Sequence, residues 1–214
     1  MRQWLRALPT FPGPLPELDP GSAPTDPVTL FTTWLREAAG AGVAIPHAAV
    51  LSTADEHGRV SGRTLILKDL HASGWVFATQ STSPKGQDMA ANPYAALTFF
   101  WPAVGRQVRV QGGVERLSAE AGAADFLARP PGSRAACRTG AQSQPLGSRQ
   151  EYWDAYAQSL AEVEADPDLV AQHWAAYAIR PEWVEFWQAI TDRGQVRLRY
   201  TAADGAWTSG LRWP

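Results

Sequence analysis

The sequence predicts a mainly β protein, an antiparallel barrel or sandwich with helices at its periphery. Short apolar or alternating runs recur from Ala48 onward at a spacing of about ten residues, with turn-forming residues between them. Helical periodicity is confined to a few stretches between those runs. With 214 residues, 45% of them hydrophobic, the chain can bury one sizeable core.

Residues 1–26 contain six prolines and little periodicity, which reads as an extended arm; residues 27–214 read as one domain. Asp26-Pro27 is a helix start, an Asp N-cap followed by Pro at the first helical position. Leu30, Phe31, Trp34, Leu35 and Ala38 then form one apolar stripe, which Gly40 ends. Ala49–Thr53 and Val60–Lys68 read as a hairpin around Asp55-Glu-His-Gly58. Leu70–Gly74 reads as a turn and Trp75–Thr79 as a third strand. A short helix opens at Ser83 and stops before Asn92-Pro93. Ala95–Trp101 and Gln107–Leu117 are the fourth and fifth strands. Helices follow from Ser118 to about Ala128 and from Ser148 to Glu164, with a loop or short helix over 133–148 between them. Trp183–Trp187, Val196–Tyr200 and Ala206–Trp213 close the fold, the last two joined by an Asp204-Gly205 hairpin turn.

Composition removes several function classes. A net charge of −2 without a basic patch gives no footprint for nucleic acid. No apolar run reaches the length of a membrane span, and no signal-peptide core precedes a cleavage site, so the expected location is cytoplasmic. The single cysteine, Cys137, excludes an intrachain disulfide and reads as a passive thiol. His47, His57, His71 and His173 are scattered without metal-ligand spacing, so no metal is expected. Neither a glycine-rich phosphate loop nor a nucleophile elbow is present.

What remains is a set of cations and amides. In Gly105-Arg-Gln-Val-Arg-Val-Gln-Gly-Gly113 the residues alternate, so Gln107, Arg109 and Gln111 share one strand face, either solvated or turned to a polar ligand. Arg63 and Lys68 bracket the apolar run 64–67. Thr79, Ser83 and Lys85 surround a helix start, which is either a capped helix with a solvated lysine or a phosphate site. Gln142-Ser143, Trp187-Gln188, Arg193 and Arg197 add further donors, with surface arginines as the plain alternative for the last two. Cations and amides without an evident nucleophile or base fit a site where a polyanionic cofactor does the chemistry.

Several segments resemble the pyridoxamine 5′-phosphate oxidase family. They include Arg63-Thr-Leu-Ile-Leu-Lys68, Gly74-Trp-Val-Phe-Ala-Thr79, Ser83-Pro-Lys-Gly86, Gly105-Arg-Gln-Val-Arg-Val110, Phe126-Leu-Ala-Arg-Pro130, Glu185-Phe-Trp-Gln188 and the terminal Leu211-Arg-Trp-Pro214. The resemblance runs from about residue 27 to the C-terminus. It implies an FMN-binding split β-barrel with peripheral helices, a homodimer with FMN at the interface. It implies oxidation of pyridoxamine or pyridoxine 5′-phosphate to pyridoxal 5′-phosphate, with dioxygen as acceptor. Arg63, Thr64, Leu65, Ile66 and Lys68 would lie along FMN beside Ala78, with Thr79, Ser83 and Lys85 near its phosphate. Gln107, Gln142, Ser143, Trp187 and Arg197 would complete the cofactor pocket, with Arg106 and Arg109 serving the interface or cofactor region. Lys68, Arg129 and Ser133 would hold the substrate phosphate. Arg193 would sit over the substrate as the catalytic residue, and Gln195 would also contact the substrate.

This chain departs from the family pattern: Gln195 stands for a histidine, Asp125 for a tyrosine, Ala78 for an aromatic and Pro84 for an arginine, and residues 1–26 lack the family's N-terminal Arg-x-x-Tyr signature. The flavin half of the pattern is the better kept. Two alternatives therefore accompany the oxidase reading: a related FMN oxidoreductase with another small substrate, as in phenazine-pathway relatives of this fold, and a flavin-binding protein without turnover.

Overall fold

The computed structural model describes every residue except Thr10, Pro12, Gly13, Ala72, Ser73, Ala141, Asp192 and Arg193. Its helices are α1 (Arg2–Ala7), α2 (Pro27–Gly40), α3 (Pro84–Ala91), α4 (Ala119–Leu127), α5 (Pro131–Ala136) and α6 (Arg149–Ala165). Its strands are β1 (Ala48–Ala54), β2 (Val60–Ile66), β3 (Asp69–His71), β4 (Gly74–Gln80), β5 (Tyr94–Trp101), β6 (Arg106–Arg116), β7 (Trp174–Ile190), β8 (Gly194–Ala203) and β9 (Ala206–Leu211). Among the described residues the strands form one nine-stranded sheet in the order β2-β1-β5-β6-β7-β4-β3, with β8 and β9 continuing from β7. Every pairing is antiparallel, and the sheet curls into a mainly β half-barrel, the architecture expected of a split barrel.

Helix α2 fills the curl. Asp26 caps it by accepting from the backbone N–H groups of Val28 and Thr29. Leu30, Phe31, Trp34 and Ala38 are buried against the inward residues of the sheet. Phe31 meets the rings of Phe99 at 4.9 Å and Trp75 at 5.8 Å, and Trp34 meets Phe186 at 5.2 Å. Burying a side chain of this size stabilises the fold by about 1.5–3 kcal/mol. The helix is also pinned by charge: Arg106 of β6, 3% exposed, pairs with Glu37, donates to Gln188 Oε1 at 2.8 Å and lies 4.2 Å over the Trp34 ring. Arg106 is therefore an internal tie between helix and sheet, not the interface or cofactor group the sequence suggested.

Three boundaries differ from the sequence reading. Residues 2–7 of the arm are helical, with no residue of α1 buried. Described residues of the arm beyond α1 meet the barrel: Leu18 packs on the core, Tyr200 Oη donates to the Pro24 carbonyl at 2.6 Å, and Phe11 lies 5.9 Å from the Trp187 ring. The stretch expected as a turn after Lys68 contains β3, which pairs Asp69 with Val76 and Leu70 with Trp75. The third difference concerns β7, which begins nine residues before the expected Trp183.

That long strand was obscured by Arg180-Pro181. Proline cannot donate to a ladder, so its presence argues against a strand interior except at a bulge. Here the register of β6 against β7 shifts between Gln111 and Gly112, opposite Pro181, and the strand continues on both sides. Gly112 is required at this point, because a Cβ there would stand 2.0 Å from the Arg180 carbonyl oxygen and 2.8 Å from the Glu182 nitrogen. Among the described residues no helix is long and apolar enough to cross a membrane.

The two backbones approach closely at the bulge. Gly112→Ala should destabilise the protein by about 1–3 kcal/mol, read as a lower denaturant midpoint. A midpoint equal to that of the unsubstituted protein would show that the two strands can separate without penalty.

Candidate functional site

The β1–β2 register sets Arg63 opposite Leu51, and its guanidinium donates to the Leu51 carbonyl at 3.2 Å and to Thr53 Oγ1 at 2.8 Å. Its one carboxylate neighbour among the described residues is Asp88 of α3, at 4.0 Å, which itself accepts from Thr53 Oγ1 at 2.6 Å. Burial pushes the Arg63 guanidinium below its ordinary value, with Asp88 opposing the shift.

At the end of β4 the chain turns into α3. Ser83 caps that helix: its Oγ donates to the Gln80 carbonyl at 2.7 Å and accepts from Gly86 N at 3.3 Å and from Lys85 Nζ at 3.1 Å. Lys85 is 7% exposed, and its ammonium also donates to Gln142 Oε1 at 2.8 Å. Both acceptors are neutral, and among the described residues no carboxylate pairs with Lys85. Burial, reinforced by the Arg63 charge, pushes its pKa down to about 8. A buried ammonium facing a second cation is electrostatically incomplete without an anion.

These groups line one cleft of about 810 Å³. Of the expected residues it brings together Arg63, Thr64, Leu65, Ile66, Lys68, Ala78, Thr79, Lys85, Arg129, Ser133, Gln142 and Ser143. Ser83, fully buried, lies behind Lys85 and does not line the cleft. Ser143 adopts a left-handed φ of 71°, a conformation of higher energy for a residue with a side chain.

The end of the cleft away from Lys85 has its own charge arrangement. Lys68 Nζ lies 3.3 Å from Asp125 Oδ1, and Asp125 Oδ2 accepts from Trp174 Nε1 at 2.9 Å. The Arg129 guanidinium stacks 4.7 Å over the Trp174 ring and donates from one terminal nitrogen to Cys137 Sγ at 3.4 Å; its Nε is buried without a partner. Burial pushes the Cys137 thiol up, with Arg129 opposing, so it stays protonated at neutral pH.

The remaining expected residues form a second cluster on the sheet face opposite the core. Gln107 pairs in register with Trp187, and Trp187 with Arg197. Trp187 Nε1 donates to Gln195 Oε1. The same face carries Glu185, 2% exposed, which accepts from Arg197 at 2.9 Å and Arg199 at 2.9 Å and lies 3.5 Å from Arg109. Arg109 and Arg199 also flank the Trp183 ring, at 5.0 and 4.3 Å. Burial alone would raise the Glu185 pKa, but the hydrogen bonds from Arg197 and Arg199 outweigh it and hold the carboxyl below its ordinary value. Gln107, Trp187, Gln195 and Arg197 do not line the cleft of the same chain. Arg193 lies outside the described residues.

Trp174 and Glu185 are site residues that the sequence reading passed over. The run Trp174-Ala-Ala-Tyr-Ala-Ile179 carries a strand signal of its own. A lone carboxylate inside Trp183–Trp187, on a strand next to arginine-bearing ones, is a visible clue to an ion-pair cluster.

Comparison with known proteins places these clusters in context. Residues 35–162 match the family described as pyridoxamine 5′-phosphate oxidase, and residues 174–214 match the pyridoxine 5′-phosphate oxidase C-terminal dimerisation region. The chain is 42% identical over 184 residues to the pyridoxine/pyridoxamine 5′-phosphate oxidase of Herminiimonas arsenicoxydans, covering 86% of this chain and 87% of that one. It is 42% identical over 180 residues to the protein of the same name from Rhodococcus jostii (strain RHA1), covering 84% and 81%. Among solved structures it is similar to PhzG from Burkholderia lata 383 in complex with tetrahydrophenazine-1-carboxylic acid, with a TM-score of 0.88, 29% identity, and coverage of 94% of this chain and all of that one.

The Glu185 cluster sets an acid limit on stability. A carboxyl with a lowered native pKa contributes fully above its ordinary value of 4.5, and the contribution is lost as pH falls through the lower native value. Stability measured by denaturant melts should therefore drop below about pH 4.5, and Glu185→Gln should remove part of that dependence while lowering stability at pH 7. Superimposable acid limbs in the two proteins would count against the cluster.

Proposed function

The chain belongs to the pyridoxamine 5′-phosphate oxidase family, and from that premise we propose that it is an FMN-dependent oxidase that acts as a homodimer in the cytoplasm. The observation that carries the cofactor reading is Lys85, a buried ammonium with only neutral hydrogen-bond acceptors and Arg63 as its charged neighbour. A phosphate supplies the missing anion. Arg63, Thr79, Lys85, Gln142 and Ser143 hold that phosphate end in this reading. Ser83 fixes Lys85 from behind, and the run 64–68 with Ala78 lies along the rest of FMN. The half-buried cluster of Gln107, Trp187 and Arg197 then completes a site by meeting the cleft of a second protomer, once on each side of a two-fold axis. A match to a dimerisation region over 174–214, which contains Trp187 and Arg197, supports this arrangement.

Bound FMN supplies the two-electron acceptor and returns the electrons to dioxygen. The chain's own contribution is binding and orientation. Lys68, Arg129 and Ser133 anchor the far end of the substrate. Arg193 and Gln195 position the carbon to be oxidised, with Gln195 held through Trp187. The family and the curated relatives support pyridoxamine or pyridoxine 5′-phosphate as substrate, giving pyridoxal 5′-phosphate and hydrogen peroxide. One observation favours a second reading, a different small substrate: Lys68 is already paired with Asp125.

On the phosphate-ester reading, FMN-loaded protein given pyridoxamine 5′-phosphate in air should release peroxide and accumulate the aldehyde, and Arg193→Ala should lose this turnover with flavin still bound. Absence of turnover with either phosphate ester rejects that substrate, and protein that takes up no FMN rejects the oxidase. Lys85→Ala should weaken FMN binding about 10- to 100-fold, the loss of one charge-assisted hydrogen bond. Because phosphate favours the charged lysine, FMN affinity of the unsubstituted protein should fall as pH rises above about 8, and the Lys85→Ala protein should lose that dependence.

A further inference from the structure

The far end of the cleft carries three charged groups, and their bonding is unequal. Lys68 is neutralised by Asp125 at 3.3 Å. Asp125 is itself anchored, because its other oxygen accepts the Trp174 indole N–H at 2.9 Å. Turning the carboxylate away would leave that N–H unpaired, so the negative charge is fixed beside Lys68. Asp125 lies behind the two lining residues it touches, with its side chain 15% exposed. Arg129 has no carboxylate partner among the described residues. It stacks on Trp174, its guanidinium donates to the weakly accepting Cys137 sulfur, and its Nε is unpartnered. The sum of Lys68, Asp125 and Arg129 is a single positive charge, with the Ser133 hydroxyl beside it in the lining.

We propose that Asp125 is a specificity-determining residue that sets this subsite for a substrate anchored by a single negative charge, a carboxylate, over one anchored by a phosphate dianion. A carboxylate matches the net charge of the subsite and the planar fork of Arg129. A phosphate dianion brings a second negative charge towards Asp125 while Lys68 is already engaged. The proposal rests on the reading of the cleft as the site of an FMN oxidase and takes up the second of its substrate readings, a small substrate other than the phosphate esters.

The test uses FMN-loaded protein and the flavin absorbance change on titration, with nicotinate as the carboxylate probe and pyridoxal 5′-phosphate as the phosphate probe. Nicotinate should bind the unsubstituted protein more tightly than pyridoxal 5′-phosphate does. Asp125→Asn keeps an oxygen acceptor for Trp174 and removes the charge. It should tighten pyridoxal 5′-phosphate about tenfold or more and change nicotinate far less. Tighter binding of the phosphate probe by the unsubstituted protein overturns the proposal, as does a phosphate affinity that Asp125→Asn leaves unchanged or weakens. The comparison in unsubstituted protein stands even where the variant fails to fold. Failure of the oxidase reading is separate: it shows as protein that takes up no flavin, before any titration begins.

Discussion

Strand β7 is the constraint on which the rest of the molecule depends. Its first half pairs with β4 and its second half with β8, while β6 runs along both. The bulge at Gly112 and Pro181 lies between the half of β7 that pairs with β4 and the half that pairs with β8. The consequence reaches the site directly. Residues carried by β4 and the segments packed near it gather in the cleft, and those on the outer face of β6, β7 and β8 gather elsewhere. Antiparallel alternation then decides which side chains within each strand belong to the core, such as Val108, Phe186 and Leu198, and which to the polar face.

The two clusters handle buried charge in opposite ways. On the outer face a nearly inaccessible carboxylate gathers Arg109, Arg197 and Arg199, so each charge has a partner and the carboxyl stays ionised despite burial. In the cleft Lys85 is desolvated with only hydroxyl and amide oxygens for company, and its pKa falls. The first arrangement is complete as it stands. The second leaves a buried cation without a carboxylate partner among the described residues, which is the physical difference between the two clusters.

Most of the fold was legible because its signals are local. The Asp26 cap, the α2 stripe, the turn at Asp204-Gly205 with both residues at positive φ, and the alternation around Gln107 each specify their own segment. The cleft was less legible from residues alone. Lys85 reads equally as a solvated surface lysine, and only its burial behind Ser83 and Gln142 distinguishes the two. The resemblance named Lys85, Arg129 and Ser133 without showing that Lys68 is neutralised. That pairing depends on Trp174, which lies 49 residues from the Asp125 it orients. Arg106 shows the reverse: its place in a motif suggested a ligand contact, and three-dimensional packing assigned it to Glu37 and Trp34.

The position of β7 after β4 and β6 in the chain also shapes how the protein is made. During synthesis β4 and β6 leave the ribosome well before residue 174, and the partner that joins them emerges only afterwards. Until then both strands present unpaired backbone edges flanked by apolar side chains, the surface most prone to joining another chain. The hydrogen bond from Tyr200 to Pro24 spans 176 residues, so the arm can settle on the barrel only after that final closure. Nascent chains interrupted before β7 are therefore the species for which chaperone protection matters most.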